Sequence, residues 1–293
     1  MLEAKTQTTE VISHRKNYRV VKQENPLFVG RAPHIRSSRS VASRMWAFVF
    51  ACLPVVLGAV IHFGVQPLWV LFHCAVSALV FEFAAEKIFK RPVRIWDGSA
   101  LLIGLLLGLN LPDMAPWWLC WTGSFFAVFV ARELCGGLAQ NRFQPVFFGL
   151  AVLLFLFPVP LLHHESLASG VFSRLAVLAS AIFLISRKLI RWQNTLTYLT
   201  AVCALGLIGG QNFQEIFSGA ILFTAVFILT DSVTSPLTVS GGIVFAAIAG
   251  LLTEGIRIFI GYPEGMIFGV LLMNGFTPLI DKYVRIKPVS LRA

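Results

Sequence analysis

The chain has 293 residues, 57% of them hydrophobic and only 13% charged, and its mean hydropathy is +0.77. A water-soluble protein of this length needs far more charge to cover its surface, so a soluble enzyme is excluded and an integral membrane protein is predicted. The net charge of +10 lies in tails and at loop ends beside apolar runs, which is the pattern of membrane topology rather than of nucleic-acid binding.

Residues 1–44 carry Lys5, Arg15, Lys16, Arg19, Lys22, Arg31, Arg36, Arg39 and Arg44 and are read as a basic cytoplasmic tail. No signal peptide is expected, because the first apolar run starts only near Met45. Ten apolar segments follow. The first five are about Met45–Phe63, Pro67–Phe89, Ser99–Leu111, Trp117–Leu134 and Gln144–Leu162. The second five are about Leu167–Ser186, Leu196–Gly210, Phe217–Thr230, Gly241–Ile260 and Gly265–Tyr283. Helix is the form expected of each, because an isolated strand in lipid leaves its backbone polar groups unsatisfied. The transmembrane domain is thus 45–284, with 285–293 as a short cytoplasmic tail.

Charge placement gives the orientation. Lys87, Lys90, Arg91 and Arg94, then Arg132 with Arg142, then Arg187, Lys188 and Arg191, and finally Lys282, Arg285, Lys287 and Arg292 mark the inward returns. The loops between them on the other side hold no Lys or Arg, and Arg257 near an outward end is offset by Glu254 and Glu264. This predicts ten spans with both termini inside.

Two of the apolar runs are short and broken. GSALLIGLLLGLNLPDMAP (Gly98–Pro116) stops at Asn110, and GAILFTAVFILTDSVTSP (Gly219–Pro236) stops at Thr230-Asp231. A shift of 120 positions superimposes Ala100 on Ala220, Asn110 on Thr230, Pro116 on Pro236, Phe148-Gly149 on Phe268-Gly269 and Pro158 on Pro278. One constant shift over such separated positions predicts an internal duplication, repeat 1 about 45–164 and repeat 2 about 165–284. With five spans each, the repeats enter the membrane from opposite sides. The fold class expected is therefore an all-α polytopic membrane protein of two inverted five-helix repeats with broken half-helices, and paired interrupted helices point to a midplane site.

The candidate site residues follow from cost. Thr230, Asp231, Thr234 and Ser235 at one broken end, and Gln140 and Asn141 after the glycines Gly136-Gly137, are read as ligands for a non-covalent flavin or an ion, with simple capping of backbone groups as the ordinary alternative. Glu82 inside the second segment, Asn110, Asp113 and Asn274 are ion-pathway candidates. The five cysteines contain no CxxC pair and are read as small buried apolar residues. His73 has no partner histidine for a haem, and His163-His164-Glu165 is read as a solvated loop. No metal site and no soluble catalytic motif is found.

WDGSALLIGLLLGLNLP (Trp96–Pro112), GGLAQNRFQP (Gly136–Pro145), TDSVTSPLT (Thr230–Thr238) and GYPEGMIFGVLLMNGFTPLID (Gly261–Asp281) resemble the D subunit of Rnf complexes and the homologous B subunit of the sodium-pumping NADH:quinone oxidoreductase. PHIRS (Pro33–Ser37) fits the start of the same family, and the resemblance runs from Pro33 to about Pro288. It implies a subunit of an ion-pumping redox complex in a bacterial inner membrane, with an architecture related to urea transporters, other membrane and peripheral subunits as partners, and Na+ or H+ as the ion. In that family an FMN is attached through its phosphate to a Thr in a Ser-Gly-Ala-Thr motif after the fifth helix.

Here VPLLHHESLASG (Val159–Gly170) holds no Thr, and Ser169 is the alternative hydroxyl in a loop without the motif; covalent FMN is expected to be absent and FMN or riboflavin, if bound, to be non-covalent. Arg142 and Gln144 likewise replace the Pro and Asn usual after Asn141 in that family. The expected function is flavin-mediated electron transfer, carried or scaffolded by this subunit. The alternatives are a stand-alone channel or transporter on the same fold, or a structural anchor without redox activity.

Overall fold

The computed structural model describes residues 40–91, 95–137, 140–158 and 166–284. Among the described residues the chain is helical throughout, without a strand. The helix α1 (Val41–Phe63) begins earlier than its apolar run, because Ser40 caps it: the Ser40 side chain accepts a hydrogen bond from the Ser43 N–H. Arg44 is therefore a helical residue, within the stretch read as the tail.

α2 (Gln66–Ile88) opens on Pro67, whose missing N–H costs nothing in a first turn. A short 3₁₀ turn at Ile95–Asp97 leads into α3 (Ser99–Asn110). The helix α4 (Trp117–Leu134) changes from α to π winding at Phe125, and α5 (Pro145–Leu156) is capped by Gln144, whose Oε1 accepts from the Phe147 N–H at 2.9 Å. The second half holds α6 (Val171–Ser186), α7 (Trp192–Ile208), the one-turn α8 (Phe213–Ile216), α9 (Gly219–Ile228, π-wound from Thr224), α10 (Val239–Ile260, π-wound from Ile256) and α11 (Gly265–Tyr283).

Among the described residues three helices, α1, α2 and α10, are long and apolar enough to cross a membrane, and α3, α5, α6 and the stretch Phe213–Ile228 are shorter apolar helices. The twelve residues of α3 reach roughly 18 Å, well under the ~30 Å of a hydrocarbon core. Such a helix end lies among protein groups or polar groups, since lipid offers its open carbonyls nothing. The Asn110 Nδ2 donates to the Leu106 carbonyl at 2.8 Å, and the Leu109 and Leu111 carbonyls accept from the Ala168 and Leu167 N–H groups.

Contacts fix the directions of the packed pairs. Ser180 Oγ donates to the Ala51 carbonyl, a side chain at Gly58 would meet Phe172 and Ser173 backbone, and Gly170 lies against the His62 ring, so α1 and α6 run antiparallel. α2 and α4 run parallel, through Ser77–Ser124 at 2.7 Å and Glu82–Arg132 at 2.6 Å. α7 and α10 also run parallel, with Asn194 against Gly242 and Tyr198 against Thr253. Gly149 of α5 sits on Gly123 and Ala127 of α4, and Gly269 of α11, 120 positions later, sits on Ala249 and Thr253 of α10. The starts of α3 and α9 (Ser99, Gly219) and of α5 and α11 (Pro145, Gly265) keep the same 120-residue separation. Core side chains from both halves, such as Leu107, Phe147, Tyr198, Phe223 and Phe245, belong to one buried cluster.

Cys52, Cys74 and Cys120 are buried as read from the sequence, but Cys135 is exposed, because it falls on the turn that ends α4 rather than within the helix.

Candidate functional site

A cleft of about 710 Å³, its open mouth included, lies where the start of α1, the start of α3, the start of α5 and the broken end of α9 meet. Phe48, Leu102, Ile103 and Phe227 make its walls apolar. Its polar groups are Arg44, Ser99, Arg132, Asn141, Gln144, Thr230, Asp231 and Ser232. Of the residues predicted from sequence, Asn141, Thr230 and Asp231 are brought together here, from opposite halves of the chain. Gln140 is exposed and outside the cleft; Gln144, four residues on, lines it. The reason is local: Gln144 caps α5 and is held inward, whereas Gln140 lies on the turn before it.

α9 ends where its last backbone groups turn to side chains. The Thr230 hydroxyl donates to the Val226 carbonyl, and Asp231 accepts from the Val233 N–H at 3.2 Å and the Thr234 hydroxyl at 3.4 Å. Thr234 and Ser235 are buried but do not line the cleft; the Thr234 carbonyl accepts from Thr277 Oγ1 at 3.0 Å and so ties the stretch to α11. Arg44 reaches across from α1 to Ser232 Oγ at 3.1 Å.

Burial pushes the Asp231 carboxyl above the usual carboxylate range, against the pull of the Val233 N–H, the Thr234 hydroxyl and the Arg44 guanidinium. Ionisation thus costs the folded state. The cost is absent at low pH, grows as pH rises through the unfolded value near ~4, and is complete above the folded value. Asp231→Asn is therefore expected to gain stability on the wild type across that rise and to keep the gain at neutral pH, read as melting temperature against pH in detergent. A difference between the two that stays flat with pH contradicts this.

Behind the α3 wall is a buried ionic group that the sequence pattern does not assemble. The Arg132 Nη2 donates to Glu82 Oε1 at 2.6 Å and to Ser99 Oγ at 2.8 Å. Ser99 in turn donates to Asp97 Oδ1, and Glu133 pairs with Arg91 at 3.0 Å. Arg132 and Glu82 are 3% and 0% exposed. Charge placement alone puts Arg132 at an inward return and Glu82 on an ion pathway; the structure makes them partners. The available signal is Arg132 itself, which with Glu133 carries the only charges of the Trp117–Leu134 run. The Nη1 of Arg132 is buried without a hydrogen-bond partner among the described residues, on a side chain that lines the cleft.

The chain matches the model of the NQR2, RnfD, RnfE family over residues 28–166 and again over 161–290. This chain belongs to that family. Among individual relatives, it is 33% identical to the D subunit of the Na(+)-translocating ferredoxin:NAD(+) oxidoreductase complex of Acetobacterium woodii, covering 88% of this chain and 94% of the relative. It is 32% identical to the D subunit of the proton-translocating ferredoxin:NAD(+) oxidoreductase complex of Clostridium ljungdahlii, over 90% and 96% of the two chains. The D subunit of the ion-translocating oxidoreductase complex of Yersinia enterocolitica is 30% identical, over 88% and 96%. That last alignment spans 338 positions, more than the 293 residues here, so the relative carries inserted segments.

In this NQR2, RnfD, RnfE family member the remaining predicted residues lie away from the cleft. Asn110 and the partly buried Asp113 stand at the end of α3, against the Ser166–Ala168 turn, where Pro112 and Ser166 form an isolated bridge. Ser169 Oγ donates to the Ser166 carbonyl at 2.6 Å. Arg174, in the first turn of α6, donates to the Ser169 carbonyl, so a second cation besides Arg257 belongs to the end read as outward. Arg257 itself pairs with Glu254 at 2.8 Å, as the sequence suggested. Asn274 is buried in α11 with neither side-chain polar atom partnered among the described residues. His73 accepts from Trp121 Nε1 at 3.4 Å, an ordinary interhelical contact. The His163-His164-Glu165 loop, residues 1–39 and residues 285–293 lie outside the described residues.

Proposed function

We propose that this chain is the D-type membrane component of an Rnf-type ion-translocating oxidoreductase complex in a bacterial inner membrane, working beside other membrane and peripheral subunits. Family membership and the D-subunit names of its relatives, which match nearly end to end, support this reading. The relatives' names divide between Na+ and protons, so the coupled ion is one of those two. The ten apolar segments are read as ten spans in two inverted repeats with both termini inside. The observation behind the inversion is that α1 and α6, first helices of the two repeats, run antiparallel.

The cleft is proposed to hold FMN or riboflavin without a covalent bond. Apolar walls with a few polar groups suit a flat ring with a hydrogen-bonding edge. The buried and unpartnered Arg132 Nη1 is the observation that carries this, because a buried guanidinium N–H left unsatisfied is costly unless a ligand or water meets it. Asn141, Thr230 and Asp231 would meet polar ring atoms, and Arg44 a negative group. When bound, flavin supplies one- and two-electron transfer; the residues here bind and orient it and exclude lipid. Attachment at Ser169 is disfavoured in this reading, because its hydroxyl is engaged in the turn to Ser166 and the Ser-Gly-Ala-Thr motif is missing.

The test is the visible spectrum of protein purified from cells supplied with riboflavin, followed by denaturation. Flavin released into the supernatant is the expected result, and Thr230→Val with Asn141→Leu is expected to lower it at least several-fold. Flavin that stays on the denatured chain overturns the non-covalent reading. No flavin in either fraction moves the assignment to a scaffold or to a transporter without redox activity.

A further inference from the structure

We infer that the groove between the start of α1 and the end of α6 is a binding site for an anionic phospholipid. The groove is distinct from the cleft. It holds about 1310 Å³ with its open side included, and its walls carry Arg44, Arg187 and Lys188 beside Trp46, Phe50 and Phe183. Among the described residues no carboxylate lines it and none of the three cations is in an ion pair. Arg187 lies over the Phe183 ring at 5.7 Å, and among the described residues the hydrogen bonds of Arg44 go to neutral oxygens, the Ser232 hydroxyl and the Leu189 carbonyl, while its charge also acts on the Asp231 carboxyl.

The occupant follows from charge and from what adjoins the groove. Its apolar wall continues into the exposed apolar faces of both helices, Phe50, Leu53 and Leu57 on α1 and Ile182 and Leu178 on α6, which in a membrane are met by acyl chains. Three cations at the end of such a face call for a phosphate at the headgroup level, and Trp46 has the amphipathic ring favoured at that depth. The chain's own residues 1–39 bring eight further Lys and Arg, and a second copy would bring the same three cations; both are like-charged and poorly matched to the groove. Arg44 and Leu189 line both the groove and the cleft. The bound phosphate therefore draws on the guanidinium that also holds the Asp231–Ser232 stretch, so lipid and cleft are coupled through Arg44.

The test uses the full-length protein in phosphatidylcholine nanodiscs, with Trp46 emission taken as the difference between wild type and Trp46→Phe. Brominated phosphatidylglycerol is expected to quench Trp46 at a much lower mole fraction than brominated phosphatidylcholine. Each cation near a membrane surface contributes about fivefold, so Arg187→Gln/Lys188→Gln is expected to lose about 30-fold of that preference. Both side chains are exposed, so the change leaves the core intact, and Arg187→Lys/Lys188→Arg is expected to retain the preference. Raised salt weakens it. Equal quenching by the two lipids, or a preference untouched in the Gln variant, overturns the proposal. So does a Trp46 that neither lipid quenches, which would mean that protein covers the groove.

Discussion

Arg132→Met is expected to cost about 3–5 kcal/mol of stability, among the largest losses any single substitution in this chain produces. Arg132 and Glu82 are held between α2 and α4 with almost no exposure, 2.6 Å apart, and Ser99 of α3 accepts from the same guanidinium nitrogen. Removing the guanidinium leaves Glu82 as a buried carboxyl without its cation, and Glu82 Oε2 already has no hydrogen-bond partner among the described residues. The penalty comes from this orphaned acid more than from the lost attraction, because burying an ion pair returns little net energy. The double variant Glu82→Leu/Arg132→Met is therefore expected to recover most of the loss. Unfolding followed in detergent, with both variants and the wild type, decides it. If the double variant is as unstable as Arg132→Met alone, the pair is not what the cost comes from. The same substitution removes a cation from the cleft wall, so reduced flavin retention is expected alongside it.

Gly104→Val is the second large effect, and its cause is contact rather than charge. A Cβ at Gly104 would sit 2.6 Å from the Cys74 carbonyl, 2.9 Å from Ala75 Cα and 3.0 Å from Ala78 Cβ. These are backbone atoms and a methyl of α2, none of which can rotate away. In lipid, close packing of small residues supplies much of what holds helices together, because burying apolar surface against apolar surface gains little there. Forcing α2 and α3 apart is expected to cost about 1–3 kcal/mol or more. It also shifts Ser99 and Leu102, and with them the cleft. Gly255→Val is the control: among the described residues its Cβ would meet nothing closer than Leu205 Cδ2 at 3.9 Å outside its own helix, so a change near zero is expected. A Gly104→Val protein that melts with the Gly255→Val protein would remove the close approach from the account.

Trp46 and Arg44 show how differently the two kinds of information act at one spot. Both stand at the boundary between a basic stretch and an apolar run, and a composition reading assigns Arg44 to a tail. The Ser40 cap carries helix geometry back four residues from the apolar run, and the guanidinium then reaches Ser232, 188 positions away. Gln140 and Gln144 make the same point, since both are amides in one short loop and only the cap at α5 turns one of them inward.

What the sequence by itself determined is what depends on local pattern and on solvent. The apolar runs dictate helix because lipid leaves a backbone no other partner. The breaks at Asn110 and Thr230 follow from side chains that compete for backbone groups, and the 120-residue shift recurs as the spacing between the starts of α3 and α9 and of α5 and α11. Asp231, Thr230 and Asn141 could be singled out because polar groups are expensive in this environment. What only the tertiary structure decided is which of these meet. Asn141 and Asp231 share a cleft while Asn110 and Asp113 end at the Ser166–Ala168 turn, and Glu82 finds Arg132, fifty residues on. Pairing of this kind depends on helix direction, rotation and close approach at residues such as Gly104, and these are set by three-dimensional packing between segments distant in the chain, which a one-dimensional pattern of polarity does not encode.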